Sequence, residues 1–231
     1  MVPAADEYGR QVKERFAALS ERVAAACRRA GRDGTGVRIV AVTKYIGPER
    51  LAALWEAGVR RAGENRWQAA APKVALGPPF EWHFIGPLQR NKARAVARHF
   101  AWVHSVDRAE LARDLARCAR EAGAEIAALV QVNISGEPQK GGVSTEGARA
   151  LAELCAELPG LRPAGLMAIG SRDAGERLIR GEFAALRELR DRLRTQTGLP
   201  LPELSMGMSG DFEWAVAEGA TLLRIGRALV L

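Results

Sequence analysis

The strongest constraint on the fold is an alternation. From residue 37 onward, short apolar runs of strand type trade places with amphipathic helical stretches. The strand candidates are 37–44, 60–65, 80–86, 101–107, 126–135, 164–170, 203–209 and 221–230. Runs such as Ile39-Val40-Ala41-Val42 and Ala128-Leu129-Val130 are apolar at every position. Such runs belong to parallel strands covered on both faces. Helical candidates lie between them, at 48–57, 67–75, 90–100, 109–122, 145–158, 181–197 and 211–218. Pro48 suits a first helical turn, and Asp107 and Ser144 or Thr145 suit N-caps. Ahead of them, Val12, Phe16, Leu19 and Val23 form one stripe of a helix over 8–29, closed by Gly31.

Eight strands with seven intervening helices predict an α/β fold, a (β/α)8 TIM-type barrel over 37–231. The helix 8–29 is expected to pack outside it, all within one domain spanning 1–231. A doubly wound open sheet would require a glycine-rich turn after its first strand, and Thr43-Lys44-Tyr45-Ile46-Gly47 is not one.

Composition narrows the function classes. With 48% hydrophobic and 26% charged residues the chain can bury a core, which excludes disorder. No window reaches the roughly 18 apolar residues of a membrane span, and the first residues lack a secretory plan, so a cytoplasmic location is expected. Cys27, Cys118 and Cys155 are odd in number and sit in apolar helical stretches as core residues. They form no zinc spacing with His83, His99 and His104, so no metal is expected. The net charge of +7 invites a nucleic-acid reading, but the arginines are interspersed with Glu and Asp on helix faces, as at Arg113, Asp114 and Arg117. No nucleic-acid or membrane partner is expected.

Only five of the 34 basic residues are lysines, which singles out Lys44. It ends the first strand on the face of Val40 and Val42, while Ile39, Ala41 and Thr43 point the other way. An inward lysine at a strand's C-terminal end lies where barrels place active groups. Desolvation there would free its amine to attack a carbonyl. A snorkelling strand-end lysine is the alternative. Near the end of the chain, Leu204-Ser205-Met206-Gly207-Met208-Ser209-Gly210 runs into a helix, followed by Arg224-Ile225-Gly226-Arg227. Serine, glycines and helix N-terminal N–H groups in the last two loops suit a phosphate. Arg224 shares the inward face with Lys44 and needs a partner if buried. The Gly136–Gly142 stretch and Gly207-x-x-Gly210 fit neither a dinucleotide fingerprint nor a P-loop. A Schiff-base lysine, a phosphate cradle and an inward arginine together describe a pocket for pyridoxal 5′-phosphate (PLP).

The ordered motifs Ala41-Val42-Thr43-Lys44, Gly63-Glu64-Asn65-Arg66, Trp82-His83-Phe84-Ile85-Gly86, Gln131-Val132-Asn133-Ile134-Ser135, Gly165-Leu166-Met167, Leu204–Ser209 and Arg224-Ile225-Gly226 carry a resemblance over nearly the whole chain. It resembles the pyridoxal-phosphate homeostasis proteins, the YggS or proline-synthase co-transcribed family. The resemblance implies a fold-type III barrel like the N-terminal domain of alanine racemase. It implies Lys44 as the covalent PLP lysine, with phosphate held by Ser209, Gly226 and the Arg227 amide. It further implies Arg224 at the pyridine nitrogen, and Asn65, His83, Asn133 and Met167 lining the cofactor. Pro87, Arg90, Arg227 and Ala69 depart from the family pattern, and Arg227 replaces a threonine hydroxyl near the phosphate.

The implied role is PLP homeostasis as a carrier or buffer without turnover. Its expected partners are PLP and PLP-dependent apo-enzymes or PLP-supplying enzymes, with the chain a monomer or weak dimer. The chain runs five residues past Gly226, so the second domain from which alanine racemases take a tyrosine base is expected to be absent. Tyr45 is then the one candidate second base. A small PLP-dependent amino-acid racemase or lyase is the alternative, and a barrel aldolase using Lys44 without PLP a third reading.

Overall fold

A computed structural model of the chain describes residues 5–137 and 140–231. The first four residues, where no secretory plan was read, and Pro138 and Gln139 of the Gly136–Gly142 stretch lie outside the described residues. Eight parallel strands close into a barrel in chain order: β1 Arg38–Val42, β2 Arg61–Glu64, β3 Glu81–Phe84, β4 Trp102–Val106, β5 Ile126–Gln131, β6 Leu161–Met167, β7 Glu203–Ser205 and β8 Leu222–Ile225. β8 pairs back onto β1, with Val40 opposite Arg224. The helices are α1 Ala5–Arg29, α2 Leu51–Glu56, α3 Trp67–Leu76, α4 Ala93–His99, α5 Ala109–Glu121, α6 Gly147–Glu157, α7 Glu176–Thr197, α8 Phe212–Ala217 and α9 Arg227–Val230.

The apolar-throughout strands divide their side chains between two cores. Val40, Trp102, Ala127, Leu129, Ala164, Met167 and Leu222 fill the barrel interior. Ala41, Ala128, Val130, Leu166, Leu223 and Ile225 face the helices. Each large side chain so buried contributes roughly 1.5–3 kcal/mol. All three cysteines are buried, and burial pushes the Cys155 thiol up to about 12. The arginines of α4 and α5 pair on the surface, Arg94 with Glu121 and Arg117 with Glu121 and Asp114, as a solvated face should. No described helix is long and apolar enough to cross a membrane.

Helix α1 fills the place that the helix after β8 would take. It packs against α8, α9 and α2, and Tyr8 Oη donates to the Val230 carbonyl at 3.2 Å. The short α9 is itself a departure from the predicted strand over 221–230. Gly226 breaks the strand, and the N–H groups of Leu229 and Val230 both return to its carbonyl (2.8 and 3.1 Å), winding one helical turn.

Three smaller expectations are corrected. Asp107 pairs with Arg108 rather than capping α5, whose N-cap position is Arg108. Helix α7 starts at Glu176, not 181, because Gly181 is carried inside it. Strand β6 begins at Leu161 and contains a bulge: Pro163 pairs with Ala128 and Gly165 with Leu129. Gly165 has φ +151, and a Cβ there would lie 1.9 Å from the Glu203 carbonyl oxygen, so only glycine fits. The bulge reverses the alternation, so Ala164 and Met167 point inward and Leu166 outward.

Candidate functional site

The site is built from residues just past the C-terminal ends of the strands. Beyond β1, the Thr43 N–H continues the ladder to the Gly63 carbonyl (3.0 Å), and the Ile46 N–H turns back to the Thr43 carbonyl (3.1 Å). Lys44 and Tyr45 stand at the tip of that turn. The Lys44 amine lies 5.0 Å from the Tyr45 ring centroid and makes no ion pair among the described residues. The desolvation expected for Lys44 is not provided by the protein, because the residue is exposed.

The turn rests on a buried polar cluster that sequence reasoning missed. Lys73 Nζ donates to the Thr43 carbonyl (2.7 Å) and to Glu64 Oε1 (2.6 Å), and Thr43 Oγ1 donates to the same carboxylate oxygen (2.6 Å). Glu64 is fully buried and its Oε2 has no partner among the described residues. The rarity of lysine was the available signal, since Lys73 is one of the five.

Across the mouth, β7 and β8 supply the other wall. Ser209 Oγ accepts from the Ala228 N–H at 3.5 Å, which brings the loop after β7 to the first turn of α9. The leading N–H groups of that turn have no intrahelical acceptor. Gly226 is buried, and a Cβ there would sit 3.0 Å from the Tyr45 ring and 3.4 Å from Val42. The glycine therefore admits Tyr45, besides any ligand. Arg227 is exposed.

Arg224 points into the barrel as predicted and is 4% exposed. Its partners are neutral: NH1 donates to Ser205 Oγ (2.6 Å) and NH2 to the Ala168 carbonyl (2.9 Å). Burial lowers its pKa to about 10, with the charge of Asp211 opposing that. Two of its five N–H groups are thus taken, and the rest have no partner among the described residues.

The four predicted lining residues separate. Asn65 is half-buried at the rim, with its carbonyl 2.4 Å from where a Gly86 Cβ would be. Asn133 directs its amide into its own loop, donating to the carbonyls of Glu137 (2.8 Å) and Lys140 (3.2 Å). Met167 is fully buried in the interior. His83 is also fully buried, stacked on Trp102 at 5.3 Å, and both its ring nitrogens bond within the protein, to Glu81 (3.1 Å) and His104 (2.9 Å). His104 and Ser205 were not read as site residues, although strand alternation places each on the inner face.

The mouth suits a flat, anionic ring compound. Of six large hydrophobic residues exposed among the described residues, Tyr45, Ile169 and Met208 stand in mouth loops, beside the cations Lys44 and Arg227. An aldehyde-bearing ring with a phosphate fits that set: a primary amine, an apolar rim, and hydroxyl and N–H donors at one side.

The comparisons agree with the fold. The model described as "Alanine racemase, N-terminal domain" matches residues 15–231. The pyridoxal phosphate homeostasis protein of Pseudomonas aeruginosa is 44% identical over 221 residues, covering 94% of each chain. The crystal structure of a protein from Bifidobacterium adolescentis superposes with a TM-score of 0.90 at 35% identity, covering 99% of this chain and 97% of the other. PipY of Synechococcus elongatus, solved with PLP bound, gives a TM-score of 0.84 at 35% identity, covering 96% and 100%. With a closed barrel of this topology and relatives matched nearly end to end, the chain belongs to the family of pyridoxal phosphate homeostasis proteins.

Proposed function

We propose that this protein binds PLP at the barrel mouth and acts in PLP homeostasis, holding the cofactor reversibly as a carrier or buffer without turnover of its own. The observation that carries this reading is the convergence on one inner face and its rim of Lys44, Arg224 and the Ser209–Ala228 contact. PLP supplies an aldehyde that condenses with a primary amine, with loss of water. In this chain the amine is that of Lys44. Ser209 and the N–H groups at Gly226 and Arg227 hold the phosphate, Asn65 borders the ring, and Met167, fully buried, packs the interior beneath it. Asn133 supports the rim through its loop, and His83 acts from below through its bonds rather than by contact.

Arg224 is assigned to the pyridine nitrogen. Arginine only donates hydrogen bonds, so it keeps that nitrogen an unprotonated acceptor and weakens the ring as an electron sink. This favours holding the cofactor over using it. PLP-dependent apo-enzymes or PLP-supplying enzymes are the partners the role requires.

The test is an absorption spectrum with and without added PLP, then borohydride reduction and peptide mapping. A visible band and label on Lys44 are expected, and label on Lys92 or Lys140 overturns the assignment. Tyr45, beside the Lys44 amine, is the one observation favouring an amino-acid racemase or lyase. Chiral analysis of alanine and serine during long incubation, with Lys44→Ala as blank, decides between the readings. Racemisation above that blank overturns the non-catalytic role.

A further inference from the structure

Beneath the mouth, a buried polar chain crosses the barrel interior and ends on Arg224. Arg224 NH1 meets Ser205 Oγ at 2.6 Å, and Ser205 Oγ meets His104 Nδ1 at 2.8 Å. His104 Nε2 meets His83 Nδ1 at 2.9 Å, and His83 Nε2 meets Glu81 Oε1 at 3.1 Å. Four strands contribute: β8, β7, β4 and β3. Ser205, His104 and His83 are at most 1% exposed.

The two ends dictate every proton between them. Arginine has no acceptor, so Arg224 donates and Ser205 Oγ accepts. The single Ser205 proton then goes to His104 Nδ1, which must be bare. Neutral His104 carries its proton on Nε2 and donates to His83 Nδ1. His83 in turn carries its proton on Nε2 and donates to Glu81, which as a carboxylate only accepts. The His83 bond holds the Glu81 carboxyl down to about 2, so that acceptor is ionised at neutral pH. Burial lowers the pKa of both imidazoles, and Arg38 and Arg224 lower that of His104 further. A proton on His104 Nδ1 would face the Ser205 oxygen, leaving Ser205 without an acceptor for its own. The direction therefore runs one way, from guanidinium to carboxylate.

We propose that His104 and Ser205 are positioning residues: through this one-way relay they fix the guanidinium of Arg224 at the base of the mouth, and so govern its hold on the PLP ring nitrogen. This rests on the PLP reading only for its last step. Arg224 has a second tether, the Ala168 carbonyl, which alone leaves the guanidinium free to swing about that bond.

The experiment has two arms. In the first, 15N-labelled protein without PLP is examined by long-range 15N–1H correlation at about pH 7, where neutral imidazole tautomers are distinguishable. Both His83 and His104 should be Nε2–H tautomers; an Nδ1–H or charged form of either overturns the relay. In the second, Ser205→Ala and His104→Leu are titrated with PLP. The Kd should rise about tenfold, the order expected when one hydrogen bond supporting a charged group is lost, and the visible band should shift. His104→Gln, which keeps a donor and an acceptor, should recover most of the loss. Unchanged Kd and spectrum in Ser205→Ala, which removes one oxygen and preserves the packing, overturn the positioning role even if His104→Leu does not fold. If the unaltered protein shows no PLP band at all, the PLP reading fails. The tautomers, with the Arg224 Nε–H line shape in Ser205→Ala, then decide the relay alone: an unchanged line overturns it.

Discussion

The two ends of the barrel use the same residue types in opposite ways. At the floor, where the strands begin, the arginines within the strands are paired: Arg38 with Glu203, Arg61 with Glu81 (2.8 Å), and Arg162 with Glu125 (3.3 Å). Arg38 and Arg162 also each lie 5.6 Å from the Trp102 ring, closing the interior from below. At the mouth, Lys44, Arg66 and Arg227 are exposed and make no ion pair among the described residues. The paired floor stabilises; these three mouth cations, unlike Arg108 and Lys140, which pair with Asp107 and Glu137 in the loops after β4 and β5, are available to an anion. The lesson is that the number of arginines in this chain says little, and the end of the strand on which each falls says much.

The contrast can be broken in four places. The largest expected effect is at the mouth. Lys44→Ala should abolish covalent PLP retention while leaving the unfolding midpoint unchanged, because Lys44 is exposed; mass spectrometry after borohydride and a thermal melt read both. Lys73 comes next. Lys73→Met leaves Glu64 as an uncompensated buried carboxylate, a loss of about 3–5 kcal/mol in urea unfolding, whereas Glu64→Leu combined with it should recover much of that.

Third, stability should fall as pH drops. His83 and His104 have depressed pKa values when folded. Below their ordinary value of about 6.5 the unfolded chain takes up protons that the native state refuses. The stability they confer is therefore complete above that pH and declines through the acid range. Glu81, held at about 2, adds a further loss as pH falls from about 4.5 towards 2. Denaturant unfolding at stepped pH measures this, and a flat profile between pH 7 and 5 would contradict buried neutral imidazoles. The smallest effect belongs to Arg227→Ala: under about 0.5 kcal/mol in stability, with PLP affinity little changed, because the proposed contact is its backbone N–H. A large drop in affinity would show that the guanidinium itself meets the phosphate.

Much of this was legible in the sequence where unbroken strand alternation applies. Arg224 falls inward by parity, whereas β1 stops at Val42 and leaves Lys44 exposed in the turn beyond it; the two glycine-bearing loops follow β7 and β8 as barrel topology requires. Parity fails wherever a bulge inserts a residue. It does so in β6, where Gly165 turns Met167 inward, and in β4, where Val106 ends on the helix side while Trp102 faces inward. The relay was hidden for another reason: His104 and Ser205 are 101 residues apart, so no local spacing announces their contact. Asn133, read as a ligand contact, spends its amide nitrogen on its own loop, a bracing role that no sequence pattern announces. The predicted last strand ran too long because Ala228-Leu229-Val230 is apolar enough for either structure.

The seat of α1 has a consequence for how the molecule is made. Helix α1 is made before any strand of the barrel, yet its partners α8 and α9 follow β7 and β8; Tyr8 and its partner Val230 are 222 positions apart. Until then the apolar stripe of α1 lacks α8 and α9 and has α2 and the turn at Gly34–Gly36 to lean on, and the ring of strands lacks its β1–β8 seam. Contacts of such long sequence separation form late and carry a high entropic cost of closure. Nascent chains stalled before residue 222 should therefore remain protease-sensitive, and emergence of β8 and α9 should be the event that closes the barrel and seats α1 together.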